Sequence, residues 1–165
     1  MMLTTELLLV RHGQSEGNVG RSIDPDCGLT ELGLDQATDV ARRLAAFDLS
    51  GFTGVTSPYQ RAVRTAAEIA QETGITFEKD EAVREWGPEG SVGGRTFAQE
   101  PVELAVRRLQ AFLHQRRGQR LLVVSHAAPI AILTQLAWGE RPTTTGDFWL
   151  AVGNCCPRWL KTTTP

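Results

Sequence analysis

The stretch Leu7-Leu8-Leu9-Val10-Arg11-His12-Gly13 decides how this chain is read. Four consecutive apolar residues bounded by polar ones mark a strand buried on both faces of a sheet. Its exit delivers Arg11 and His12 to one sheet edge. Leu121-Leu122-Val123-Val124 runs into Ser125-His126 in the same way. A single strand-end histidine is ordinarily structural. Two of them, one set between an arginine and a glycine, point to a site that holds an anion between imidazoles and guanidinium groups.

Outward from these strands, turn and cap signals alternate with apolar periodicity. Arg11 to Gly28 carries the glycines, serines, prolines and aspartates of a long functional loop. Thr30 caps a helix expected over Glu31 to Phe47, with Leu34, Ala37, Ala41, Leu44 and Ala45 on one face. Gly54 to Ser57 reads as a short strand, and Ser57-Pro58 as a helix start, serine at the N-cap and proline at the first helical position. That helix turns Ala62, Val63, Ala66, Ile69 and Ala70 inward and stops at Thr73-Gly74.

Ile75 to Phe77 is a candidate third strand, and Trp86 to Gly94 reads as loop. Pro101 to Arg117 is a helix with Val102, Ala105, Val106, Leu109, Phe112 and Leu113 on its core side. Leu121 to Ser125 is the second long strand, and Pro129 opens a helix to about Trp138. Phe148 to Val152 and Pro157 to Leu160 are expected to close a hairpin around Gly153-Asn154. The tail Lys161 to Pro165 is expected to fray. Strands alternating with helices give an α/β fold: a three-layer sandwich whose mostly parallel central sheet is flanked by helices, with room for an antiparallel edge strand.

The 165 residues suit one domain, 1–165, with a full core. A hydrophobic share of 41% and a charged share of 22% are those of a soluble globular chain, and a net charge of -2 gives no general pull toward nucleic acid or a membrane. Met1 to Val10 makes a poor signal peptide, and no apolar run reaches the length of a membrane span. The cysteines Cys27, Cys155 and Cys156 lack ligand spacing, which suits a reduced, cytoplasmic protein and no zinc site. Composition leaves oligomeric state open.

Three pieces carry chemistry. In Arg11-His12-Gly13-Gln14-Ser15-Glu16-Gly17-Asn18, a histidine of ordinary pKa about 6.5 is substantially neutral near neutral pH and can act as nucleophile or base. Gly13 permits a tight turn, and Arg11 offers the planar fork that suits phosphate oxygens. Ser57-Pro58-Tyr59-Gln60-Arg61-Ala62-Val63-Arg64-Thr65-Ala66 places Arg61 in a first helical turn, where the amides and the dipole already favour an anion. Arg64 reads as a solvated helix charge. Val124-Ser125-His126-Ala127-Ala128-Pro129 supplies the second imidazole at a strand exit. Elsewhere, Arg107, Arg108, Arg116, Arg117 and Arg120 read as solvent-face charges, His114 as surface, and the four tryptophans as core or rim packing, with Trp86 a substrate-contact candidate. Asp24-Pro25-Asp26-Cys27-Gly28 receives no role.

In this order the three pieces, with Val83-Arg84-Glu85, Leu29-Thr30-Glu31-Leu32-Gly33, Gln36-Ala37 and Glu89-Gly90, resemble the histidine phosphatase superfamily, which includes the cofactor-dependent phosphoglycerate mutases. The resemblance covers roughly residues 6 to 137. Each motif is weak alone; the ordered set is specific. It implies that His12 is the nucleophile and becomes a phosphohistidine that water hydrolyses. Arg11, Arg61 and His126 would surround the phosphate, with Asn18 as a further amide donor and Gln14 and Ser15 among the substrate-binding residues. Two guanidiniums and an imidazole supply positioning and charge neutralisation without a metal, and no cofactor is implied. The proton donor to the leaving alcohol falls to Glu85, with Glu89 as the alternative because the spacing between them is shorter than the pattern's. Ala127-Ala128 stand where the pattern has glycines.

The expected activity is hydrolysis of a phosphorylated small molecule. The 40 residues between Glu85 and His126 leave little material for a lid. The alternatives are a mutase-type phosphotransferase, a protein phosphohistidine phosphatase acting on phosphoproteins, and a phosphate-binding scaffold without turnover.

Overall fold

The computed structural model describes residues 2–86, 90–92, 95–97, 100–142 and 152–164, the two short pieces by their backbone alone. Strand β1 (Leu3–Arg11) is followed by α1 (Glu31–Ala45), β2 (Phe52–Thr56), α2 (Gln60–Thr73) and β3 (Phe77–Lys79). A 3-10 turn (Glu81–Val83) then leads to β4 (Gly90–Val92), β5 (Arg95–Phe97), α3 (Val102–Gln115), β6 (Arg120–Ser125), α4 (Ala127–Ala137) and β7 (Arg158–Thr164). Five strands form one sheet in the order β3-β2-β6-β1-β7. Its pairings are parallel except at β7, which lies antiparallel against β1. The antiparallel edge expected from the sequence is therefore present.

Alternation along the central strands explains their unbroken apolar runs. Leu7, Leu9, Leu121 and Val123 turn toward a core shared with Ala105, Leu109 and Phe112 of α3 and Ile130 to Leu133 of α4. Leu8, Val10, Leu122 and Val124 turn the other way, against Ala37, Val40, Ala41 and Leu44 of α1 and Ala62, Ala66 and Ile69 of α2. Period-2 strands sandwiched between helical layers must be apolar at every position. Each of these strand side chains is fully buried, a contribution of roughly 1.5–3 kcal/mol apiece relative to exposure.

Several expectations need correction. α1 is turned slightly about its axis: Gly33 and Val40 face inward, while Leu34 is 36% exposed and Ala45 lies in solvent. Thr30 does cap it, accepting from the Gly33 amide. α2 begins at Gln60 with Tyr59 at its N-cap and no side-chain cap bond, so Ser57 is not the cap. Val63 and Ala70 are only half-buried. Gly74 ends the helix in the left-handed conformation at φ 74°.

Trp86 to Gly94 is not loop throughout, because β4 pairs with β5 in an antiparallel hairpin. The tail does not fray: Lys161 lies opposite Glu6 and Thr164 opposite Leu3, and the Lys161 ammonium reaches the Glu6 carboxylate at 3.2 Å. Of the expected closing hairpin, 148–151 lies outside the described residues. Trp138 is 56% exposed, and Trp159, 46% exposed against the Phe47 and Phe52 rings, packs at the rim as expected.

Candidate active site

The sheet register gathers the site. Arg11 lies opposite Ser125 and Thr56 opposite Val124, so β1, β6 and β2 release His12, His126 and Ser57 side by side at their carboxyl ends, where open α/β sheets place their sites. The His12 amide donates to the Ser125 carbonyl at 3.0 Å and the Ser57 amide to the Val124 carbonyl at 2.9 Å. These bonds carry the parallel ladder one residue past each strand. The two imidazole rings stand edge to face, 5.0 Å apart between centroids.

His12 is held at both ring nitrogens. Its Nδ1 lies 2.7 Å from the Gly13 carbonyl, which can only accept, so Nδ1 carries the proton. Its Nε2 accepts from Arg61 Nε at 3.1 Å. Burial, reinforced by Arg61 and against the Gly13 bond, lowers the imidazole to about 3. The ring is thus neutral near pH 7 with its free electron pair on Nε2. The backbone beneath is fixed by the Gly13 amide on Thr65 Oγ1 at 3.1 Å and the Asn154 side chain on the His12 carbonyl at 2.7 Å. Glycine is required at 13 by close approach: a Cβ there would meet the Gly33 carbonyl oxygen at 2.2 Å.

Arg61, 7% exposed, is steered by the Asp24 to Gly28 loop, to which sequence reading assigns no role. Its Nη1 donates to the Pro25 carbonyl, and Asp26 accepts from the Gln60 amide at 2.7 Å. Asp26 therefore caps α2 from a distant segment, in place of the cap expected from Ser57. The Tyr59 ring lies 5.1 Å from the Arg61 guanidinium carbon and 5.4 Å from the His126 ring.

Two donor-capable nitrogens in this cluster are buried without a hydrogen-bond partner among the described residues, Arg11 Nε and His126 Nδ1. Arg11 is anchored through Nη1 to the Val152 carbonyl at 2.7 Å. His126 is fully buried and is anchored through Nε2 to Ser57 Oγ at 2.7 Å. Burial pushes the His126 imidazole well below its ordinary value, with His12 and both arginines adding to the effect. Buried polar atoms are normally paired; two orphans beside a cationic cluster form an anion cradle.

Glu85 Oε2 lies 3.7 Å from His126 Nδ1. Burial raises its carboxyl to about 7 against the opposing pull of Arg61, the Trp86 amide, Arg11 and Arg108, so a sizeable fraction is protonated near neutrality. Its other oxygen accepts from the Trp86 amide at 3.0 Å. On either side the chain is pinned: Ser125 Oγ donates to the Val83 carbonyl at 2.7 Å, and Glu100 bridges Arg84 at 3.1 Å and Arg108 at 2.8 Å. The Trp86 indole donates to the Glu100 carbonyl at 2.7 Å. Arg108 is therefore structural, not a solvent-face charge, and Arg116 likewise pairs with Asp80 at 3.1 Å. Arg64, 57% exposed and paired with Glu68, is the solvated charge expected.

Of the residues named from the sequence, His12, Arg11, Arg61, His126 and Glu85 converge. The recorded bonds of Gln14, Ser15 and Asn18 are made within the loop and to α1. Gln14 Oε1 accepts from Thr30 Oγ1 at 2.9 Å, and Asn18 Oδ1 accepts from the Ser15 amide at 3.1 Å. Glu89 lies outside the described residues. Ser57 and Thr65 lie in the Ser57 to Ala66 motif, which assigns neither a role at the site, and Asn154 and Glu100 carry no signal of theirs in the sequence. Among the described residues, no group of three or more His, Cys, Asp or Glu side chains is placed to hold a metal ion. No helix among them is long and apolar enough to cross a membrane.

Two imidazoles at parallel strand exits, with the guanidiniums of Arg11 on β1 and Arg61 on α2 beside them, are the chemistry of a phosphate-handling class of protein. The family model of the histidine phosphatase superfamily (branch 1) matches residues 7–109, and the chain belongs to that superfamily. A 2,3-bisphosphoglycerate-dependent phosphoglycerate mutase of Nitrobacter hamburgensis is 41% identical over 87 residues, covering 48% of this chain and 41% of that protein. The chain thus spans about two fifths of the length of that relative. A mutase of the same description from Bradyrhizobium sp. is 30% identical over 163 residues, covering 77% of this chain and 78% of the relative. A candidate alpha-ribazole-5'-P phosphatase of Escherichia coli shares the fold with a TM-score of 0.72 at 17% identity, covering 97% of this chain and 93% of that one.

Proposed function

We propose that this protein hydrolyses phosphomonoesters through a phosphohistidine on His12. One nitrogen carries the reading: His12 Nε2, left unprotonated because the Gly13 carbonyl claims the proton on Nδ1, and accepting from Arg61 Nε at 3.1 Å, a bond that passes to the phosphate as Nε2 attacks. Nε2 attacks phosphorus, and the bond from phosphorus to the ester oxygen breaks. Arg61, Arg11 and His126 take up the charge on the transferring group. The departing alkoxide receives a proton from Glu85, whose carboxyl at about 7 suits an acid that gives up a proton and then takes one from water. Water attacks phosphorus, its proton passes to Glu85, and inorganic phosphate leaves with the N–P bond broken. No step calls for a metal or a cofactor. Gln14, Ser15 and Asn18, on the loop that carries His12, are proposed to bind the remainder of the substrate.

Hydrolysis is favoured over mutase chemistry by the shortness of the chain above the site. Of the 40 residues between Glu85 and His126, α3 takes 14 and β6 takes 6, so no more than half of that segment is available to exclude water from a phosphoenzyme. The relatives described as mutases support the second reading, phosphoryl transfer between positions of a phosphoglycerate.

Acid quenching during turnover of a radiolabelled phosphomonoester should trap acid-labile, base-stable phosphate on His12, and His12→Ala should carry none. Label on His126 in the wild type would reverse the roles of the two histidines. Absence of both label and hydrolysis across sugar phosphates, nucleotides, phosphoglycerates and phosphopeptides, with phosphate still bound, would leave only a scaffold. Isomerisation of phosphoglycerates faster than phosphate release would make the mutase reading the better one.

A further inference from the structure

Ser57 is fully buried, and its hydroxyl sits 2.7 Å from His126 Nε2. Resting on the reading of His126 as a phosphate ligand, we propose that Ser57 is a positioning residue that fixes the His126 tautomer, keeping the proton on Nδ1 so that this nitrogen donates into the anion cradle.

A serine hydroxyl has one proton to give and two electron pairs to offer. The Tyr59 amide, which can only donate, approaches Ser57 Oγ at 3.3 Å and takes one electron pair. Among the described residues, the acceptor recorded within reach of the hydroxyl proton is His126 Nε2. Ser57 therefore donates to Nε2, and a neutral imidazole that accepts at Nε2 carries its proton at Nδ1. In the opposite tautomer, Ser57 Oγ would receive two donors while its own proton was buried without an acceptor, an arrangement proteins avoid.

Among the described residues, Nδ1 is the nitrogen left without a hydrogen-bond partner, and a carboxylate oxygen, Glu85 Oε2, lies 3.7 Å away. When Glu85 is ionised, a proton on Nδ1 suits that neighbour and a bare electron pair would not; when Glu85 is protonated, the Ser57 bond alone sets the choice. His126 burial disfavours the doubly protonated ring, so the choice of tautomer decides whether the site gains a donor or an acceptor. The strand register makes the contact possible, because Ser57 and His126 follow the adjacent strands β2 and β6 and the peptide before Ser57 is tied to Val124. Ser57 needs no contact with substrate for this role. A supporting group that sets the orientation and tautomer of a histidine is worth about 10–100-fold around a bound ligand.

The test is a long-range proton–nitrogen correlation spectrum of the full chain labelled with [15N]histidine at neutral pH, with His126 assigned by its loss in His126→Gln. Wild type should show Nδ1 protonated and Nε2 unprotonated at His126. Ser57→Ala should lose that fixed pattern and bind orthovanadate about 10-fold more weakly; Ser57→Thr, which keeps the hydroxyl, should restore both. A proton on Nε2 in the wild type would overturn the proposal, as would an unaltered His126 pattern in Ser57→Ala. The wild-type spectrum decides the matter even where Ser57→Ala does not fold. The spectrum is read without turnover, so a protein that hydrolyses nothing but shows the Ser57-dependent tautomer upholds this inference while sinking the phosphatase reading.

Discussion

His12 and Glu85 belong to one cluster at the strand exits, yet the two sides of the site are built differently. On the His12 side the fixing contacts come from backbone and small polar groups: the Gly13 carbonyl, Thr65 Oγ1, the Asn154 amide, and a glycine pair in which a Cβ on Gly33 would meet the Gln14 carbonyl oxygen at 1.9 Å. On the Glu85 side the fixing contacts come from charges: Glu100 between Arg84 and Arg108, with Arg108 also reaching the carbonyl of Ala82. Close packing suits a nitrogen proposed to attack in line, where displacement by an ångström is costly. A charge network suits a group proposed to carry a proton: burial raises the Glu85 carboxyl, and Arg61, Arg11 and Arg108 temper that rise.

The largest effect that would probe this contrast is loss of the acid. Glu85→Gln should slow phosphoenzyme formation from substrates with poor alkoxide leaving groups by about 10²–10⁴-fold and barely affect aryl phosphates. Wild-type rates on poor leaving groups should fall above about pH 7, as the Glu85 carboxyl loses its proton, and that limb should vanish in the variant. Equal losses on both substrate types would remove Glu85 from the acid role.

Gly33→Ala would test the packed side. Its Cβ can be accommodated only by moving the backbone that carries Gln14, and we predict a loss of about 2–3 kcal/mol in chemical denaturation. A neutral result would mean that close backbone approach does not hold the nucleophile loop.

Glu100→Gln probes the charged side, with an expected loss of about 1–2 kcal/mol as Arg84 and Arg108 lose their shared partner. Although burial opposes it, the Arg108 hydrogen bond and charge, with Arg84, hold the Glu100 carboxyl below its usual value of 4.5. Its stabilisation is accordingly full above that value and is lost as the pH falls through the lower folded one. The gap between wild type and variant should close on acidification; a gap that widened would contradict the pairing. Arg64→Ala should shift stability by only about 0–0.5 kcal/mol, since its pair with Glu68 is solvent-screened. A larger shift would show that helix charges outside the site also hold it.

What could be read from the sequence follows the length of the contacts. His12, Arg61 and His126 sit in local patterns, a buried strand exit or a helix start, and were placed by them. The partners that orient them lie far along the chain. Ser57 meets His126 across 69 residues, and Asp26 caps α2 across 34. A serine before a proline reads as a cap from local chemistry alone, and only the adjacency of β2 and β6 gives it an imidazole to bond. Nothing adjacent to Glu100 announces that Arg84 and Arg108 converge on it.

β7 is legible only in part. Pro157 to Leu160 reads as a strand, and Thr162 to Thr164 are β-branched residues that favour one too, but a place near the tail points to fraying unless β1 is there to pair with them. Val40 against Leu34 on α1 was a choice between two overlapping helical faces, and only the packed layer of α2 settles it.

The segment before β7 reaches back to the start of the sequence. Val152 receives Arg11 and Asn154 holds His12 across 141 and 142 residues, while Arg158 aligns with Leu9 in the ladder. The elements from α1 to α4, with Arg61, Glu85 and His126, all lie inside the span that these two ends close. The Leu9–Arg158 register and the Arg11 and Asn154 bonds thus act as a clasp around His12, and a change at Asn154 is felt first at that imidazole, however far apart the two lie along the chain.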